Sequence, residues 1–113
     1  MQNKKYLSLL GMARRAGKLS MGHDMALKAV KEKKAKILIL ASDVSKRLAE
    51  EFERACSGAD IPVLCIDETI SDIHGALGYK AGVITVNDEN FSHRIEELIN
   101  IEKINQEVVA HGD

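Results

Sequence analysis

Three stretches, Ile37-Leu38-Ile39-Leu40-Ala41, Ile61-Pro62-Val63-Leu64-Cys65-Ile66 and Val83-Ile84-Thr85-Val86, are apolar at nearly every position. A strand with one wet face alternates polar and apolar residues, whereas a continuous apolar run is a strand covered on both faces. The only proline, Pro62, stands near the start of the second run, where a strand tolerates it. A fourth, shorter stretch, Lys18-Leu19-Ser20-Met21, does alternate and predicts a short edge strand. Strands of this kind need helices on both sides, so the segments between them decide the architecture.

Those segments carry helical periodicity. Tyr6, Leu9, Leu10, Ala13 and Ala16 form an i, i+3, i+4, i+7 stripe over residues 4–16, closed by Gly17. Gly22 opens a helix over about 22–33, with Met25, Ala26, Ala29 and Val30 as its buried stripe and Asp24 as a first-turn cap. Ser42 and Asp43 open a helix over about 44–57, with Val44, Leu48, Ala49, Phe52, Ala55 and Cys56 inward. Thr69 and Asp72 have capping-box spacing ahead of Ile70, Ile73 and Leu77, and Gly78 ends that helix. Asn87-Asp88 or Asn90 caps a last helix that turns Phe91, Ile95, Leu98 and Ile99 inward, and the final few residues are expected to fray. The order predicts an α/β chain: a three-layer α/β/α sandwich with a four-stranded mixed sheet, one domain over residues 1–113. No repeat, linker or low-complexity segment interrupts it.

Charge is divided unevenly along this frame. Residues 1–47 hold twelve Lys and Arg against Asp24, Glu32 and Asp43, a net of +9. Residues 48–113 hold four basic residues against fourteen acidic ones, a net of −10. Such a split points to an anionic partner for the first half, or to electrostatic pairing of the halves within the fold. No run approaches the roughly 20 apolar residues of a membrane helix. The start, Met-Gln-Asn-Lys-Lys-Tyr, has no apolar signal region, so a cytoplasmic protein without a membrane partner is expected. Cys56 and Cys65 fit neither a CxxC motif nor a zinc quartet, and both read as reduced core thiols.

Catalytic patterns are missing. His23, His74, His93 and His111 are scattered, and no GxGxxG, P-loop or GxSxG sequence is present. No enzyme, cofactor or metal site is expected, although a ligand at the strand ends of a flavodoxin-like sheet remains formally open. The stretch Ser20–Lys31 is more informative. A glycine and a helix start there offer free N–H groups, and Lys28 and Lys31 follow Asp24 at i+4 and i+7. The same spacing also describes an ordinary solvated Asp–Lys face. Arg14 and Arg15, in the last turn of the first helix, either complement its dipole or face a polyanion.

Taken with Ile37–Asp43, Pro62–Asp67 and Leu77–Val86, and with the opening Leu9-Leu10-Gly11-Met12-Ala13-Arg14-Arg15-Ala16-Gly17-Lys18, this stretch resembles the kink-turn RNA-binding superfamily of ribosomal protein L7Ae. It is most like the small bacterial YlxQ-type branch, over about Tyr6 to Leu98. The family signature at the start of the second helix is glycine, any residue, Asn, Glu, two residues, Lys. Gly22 and Lys28 match it, while Asp24 stands in the Asn place and Met25 in the Glu place. The resemblance implies a non-catalytic protein whose signature residues meet sheared G·A pairs beside the kink. It also implies that the loop Leu77–Val83 covers an extruded nucleotide, with Ala81 and Gly82 allowing close approach. On that basis Lys18, Gly22, His23, Asp24, Lys28, Lys31, Leu77, Gly78, Lys80, Ala81 and Gly82 are the expected RNA-binding residues. The expected partner is structured RNA, ribosomal or kink-turn-containing, bound by a monomer in association with the ribosome. The alternative is a protein-interaction module on the same scaffold that uses the acidic second half.

Overall fold

Ile37 and Ile39 pack on one face of the sheet and Leu38 and Leu40 on the other, all four buried. Val83–Val86 is likewise buried at every position in the computed structural model, which describes residues 4–111. The elements are α1 (Lys5–Arg15), β1 (Leu19–Met21), α2 (His23–Lys31), β2 (Ile37–Leu40), α3 (Lys46–Ser57), β3 (Val63–Cys65), α4 (Ile70–Leu77), β4 (Val83–Val86) and α5 (Glu89–His111). The strand order is β1-β4-β2-β3, with β2 and β3 parallel and β4 antiparallel to both its neighbours. Helices α1, α4 and α5 cover the face that carries Ile37, Ile39, Ile84 and Val86. Helices α2 and α3 cover the face that carries Leu38, Leu40 and Val83. The architecture is the mixed-sheet α/β/α sandwich that the apolar runs predict.

Polar groups in the core are matched. Thr85 is fully buried in β4, and its hydroxyl donates to Asn87 Oδ1 at 2.9 Å, while Asn87 Nδ2 donates to Ser20 Oγ at 2.9 Å. Asn87 therefore fastens β4 to β1, and the α5 cap falls to Asp88, which accepts from Phe91 N at 2.8 Å. The Tyr6 hydroxyl donates to buried Glu68 at 2.5 Å, and Lys4 Nζ lies 3.2 Å from the same carboxylate. Burial, with the Glu68 carboxylate beside it, pushes the Tyr6 hydroxyl well above the usual phenol range. This cluster ties the loop after β3 to the start of α1.

Four expectations change. Helix α3 begins at Lys46, because Ser45 is its cap and accepts from Leu48 N at 3.1 Å. Asp43 reaches across the chain and accepts from Ile70 N at 2.8 Å, so it serves α4. Strand β3 is an edge strand of three residues, and Cys65 on it is exposed; only Cys56 is a core thiol. Met25 is 55% exposed. At about 100° per residue it stands about 90° from the centre of the Ala26-Ala29-Val30 stripe, at the flank of the helix. The Thr69–Asp72 capping box forms as expected. Helix α5 runs on to His111, and of the final few residues expected to fray, 112–113 lie outside the described residues.

Candidate nucleic-acid interface

The turn from β1 into α2 is fixed by backbone geometry. Gly22 has φ 94° and ψ 165°, a region closed to residues with a Cβ, and its N–H donates to Val83 O at 2.9 Å. That bond holds the start of α2 against the start of β4, beside the loop that follows α4. Among the described residues no side chain caps α2, so its first N–H groups stay available for an outside acceptor. The Asp24 side chain is 98% exposed and takes no part in capping.

Two depressions are lined by residues of α2. One, of about 250 Å³, is lined by Arg14, Leu19, Ser20, Met21, Met25 and Tyr79. Its apolar walls are Met25 and the exposed ring of Tyr79, over which the Arg14 guanidinium lies 5.9 Å from the centroid. The other, about 320 Å³, runs along α2 between Asp24, Leu27, Lys28, Lys31 and Glu32. Lys28 and Lys31 are exposed there, on the side of α2 turned from Ala26, Ala29 and Val30. One corner of the molecule thus offers free helix N–H groups, a row of ammonium groups and an apolar slot beneath an arginine. It suits a ligand that combines phosphates with a planar base.

His23, the first residue of α2, is engaged on both ring nitrogens. Nδ1 is 2.9 Å from Asp24 Oδ1, and Nε2 is 3.0 and 3.1 Å from the two oxygens of Glu51 on α3. The Phe52 ring meets the imidazole edge-on at 5.4 Å. The hydrogen bonds to Asp24 and then Glu51 raise the His23 pKa above its ordinary value.

Of the expected binding residues, Gly22, His23, Asp24 and Lys28 share the start and outer face of α2, with Lys31 about 5 Å beyond Lys28 along the helix. Gly78 and Lys80 are exposed in the adjoining loop. Lys18 sits at the Asn87 end of β1, roughly 13 Å from Gly22, and extends the basic surface. Leu77 and Ala81 are core residues. Gly82 faces inward: a Cβ there would lie 2.7 Å from Val44 Cγ1 and 3.2 Å from Ile70 Cδ1. Its smallness answers to internal packing, and the outward surface of this loop is Gly78-Tyr79-Lys80.

Tyr79, Met25 and Glu51 were missing from the expected set. An aromatic residue between Gly78 and Lys80, in a loop with no stripe to join, was an available signal for Tyr79. Glu51 had none, since it meets His23 across 28 positions. Among the described residues no three His, Cys, Asp or Glu side chains gather where they could hold a metal ion, and no helix is long and apolar enough to cross a membrane. A further depression, about 480 Å³, lies at the other end of α1, against α5. Two of its cations are already paired, Lys4 with Glu68 at 3.2 Å and Arg94 with Glu97 at 2.6 Å.

The fold agrees with comparisons to known proteins. Residues 4–94 match the ribosomal protein L7Ae/L30e/S12e/Gadd45 family, and the chain belongs to that family. It is similar to the RNA-binding protein YlxQ of Bacillus subtilis (strain 168), 27% identical over 101 residues that span 88% of this chain and 100% of that one. It is also similar to large ribosomal subunit protein eL30 of Aeropyrum pernix, 31% identical over 85 residues, 74% of this chain and 85% of that one. A solved structure of a protein of unknown function from Bacillus halodurans C superposes with a TM-score of 0.82 at 32% identity, covering 87% of this chain and 99% of that one.

Proposed function

We propose that this chain is a non-catalytic, cytoplasmic RNA-binding protein that recognises kinked, kink-turn-like RNA, acts as a monomer and works in association with the ribosome. The observation that carries the reading is the meeting, at one corner, of the uncapped α2 start, the Lys28–Lys31 row and the Gly78-Tyr79-Lys80 loop. A straight A-form helix presents a deep, narrow major groove that side chains cannot read, whereas a kink widens the groove and exposes bases. In the proposed complex α2 enters the widened groove by its N-terminus. Its lysines meet phosphates or guanine edges, and an extruded base lies in the slot between Met25 and Tyr79. Arg14, already seated over Tyr79, closes that slot. Met25, in the family's Glu place, supplies apolar contact where a carboxylate would accept hydrogen bonds. Membership of a ribosomal protein family, and the RNA-binding name of the Bacillus subtilis relative, support the choice of RNA over other polyanions.

The test is a gel shift with a simple kink-turn RNA beside an unkinked duplex of the same length and charge. The kink-turn is expected to bind at least about tenfold more tightly, a difference of about 1.4 kcal/mol. Equal affinity for the two RNAs would reduce the interaction to charge alone.

A further inference from the structure

We infer that Glu51 and His23 form a positioning relay that holds the Asp24 carboxylate in place and makes the affinity for RNA fall as pH rises. The inference rests on the RNA-binding reading above and adds a regulator to the same site. A neutral imidazole carries one N–H and can donate to one carboxylate only. Here both ring nitrogens face carboxylate oxygens at hydrogen-bond distance: Asp24 at 2.9 Å, Glu51 at 3.0 and 3.1 Å. Both contacts are good together only for the imidazolium. The charged groups facing the ring are Asp24 from α2 and Glu51 from α3, while Phe52 fills a third side with its ring edge-on at 5.4 Å. The upward direction of the His23 pKa agrees with this geometry.

The consequence follows from charge and position. Asp24 occupies the place of a neutral Asn in the family signature, at the helix start where phosphates would approach. An unpaired, fully exposed carboxylate there would repel them and would be free to rotate. The imidazolium offsets its charge and holds Oδ1, leaving Oδ2 open to accept from a base N–H. Loss of the ring proton turns the Asp24–His23–Glu51 group from a net charge of −1 to −2 (arithmetic on the three side chains). RNA therefore binds the protonated form better, and by linkage it raises the His23 pKa further. Affinity is flat at low pH, falls as pH rises through the raised pKa of the free protein, and levels off above that of the complex.

The experiment measures affinity for the kink-turn RNA between about pH 5.5 and 8.5, beside an NMR titration of the His23 ring in the free protein. The wild-type affinity is expected to drop by about two- to fivefold across the His23 titration, the range for one exposed charge contact. His23→Gln should bind without that drop, which also controls for titration of the RNA itself. Glu51→Gln should lower the His23 pKa and move the affinity drop to lower pH with it, a coupled shift that a merely structural role for Glu51 would not produce. Wild-type binding that is flat in pH, or a drop that survives in His23→Gln, would overturn the relay while leaving RNA binding intact. An absence of binding to the kink-turn at every pH would overturn the RNA reading, and the relay with it.

Discussion

Lys28→Ala is expected to weaken kink-turn binding by about 1–3 kcal/mol if the ammonium meets a guanine edge, and by less if it meets only a phosphate. Lys28 is exposed on the face of α2 turned from Ala26, Ala29 and Val30, so the truncation removes no core contact. Folding stability should stay within about 0.5 kcal/mol of the parent, the usual range for surface changes. The control is Lys34→Ala. Lys34 lies beyond the end of α2 and pairs with Glu32 at 3.3 Å across two exposed side chains, a contact of little energetic weight. Both substitutions remove one positive charge, so a difference between them reports position and not net charge. Paired affinity and urea-unfolding measurements decide the matter. Equal losses of affinity would dissociate α2 from the binding surface.

Gly82→Ala is expected to destabilise the fold by about 1–3 kcal/mol through overpacking. The added methyl would lie 2.7 Å from Val44 Cγ1, with Ile70 Cγ1 and Cδ1 at 3.3 and 3.2 Å. Val44 is branched at Cβ and stiff at χ1, so it has little room to give way. The strain falls where the chain is tightly held, since Ala41 N donates to Gly82 O at 2.9 Å and Val83 begins a strand buried at every position. Thermal unfolding should register a drop of several degrees. The folded fraction should still bind RNA normally, because the methyl points inward. Undiminished stability with lost affinity would restore the reading in which Gly82 is small to admit the RNA.

The sheet and its helix layers were legible because the signal repeats. Ile37–Leu40 and Val83–Val86 lack polar alternation, and in the structure both are central strands buried at every position. The Thr69–Asp72 box was legible because both of its hydrogen bonds are local. Failures came where a side chain spends its hydrogen bond far along the chain. Asp43 looks like a cap for the helix that follows it, yet it accepts from Ile70, which leaves Ser45 to cap α3. Asn87 looks like a cap and instead bridges Thr85 to Ser20. Sheet order was equally hidden: β3 lies at an edge, so its apolar sequence does not protect Cys65 from solvent.

The candidate site divides along the same line. The polar face of α2 follows from the 3.6-residue period, which Lys28 and Lys31 obey. Met25 misled because it lies near the apolar stripe in sequence and at its flank in space. The slot it forms with Tyr79 and Arg14 joins three separate segments that no local pattern links. Gly82 illustrates a related point: a glycine in a loop is small for whatever lies against it, and here Val44 lies against it.

The most direct test of the binding surface is an amide NMR titration of the isotope-labelled protein with the kink-turn RNA. The largest shifts are predicted at Ser20–Lys31 and Gly78–Lys80, with Arg14 joining them, and little change is predicted along the α1–α5 depression lined by Lys4, Lys5 and Arg94. Shifts centred on that depression, or on the outer face of α3, with the start of α2 unmoved, would contradict the account.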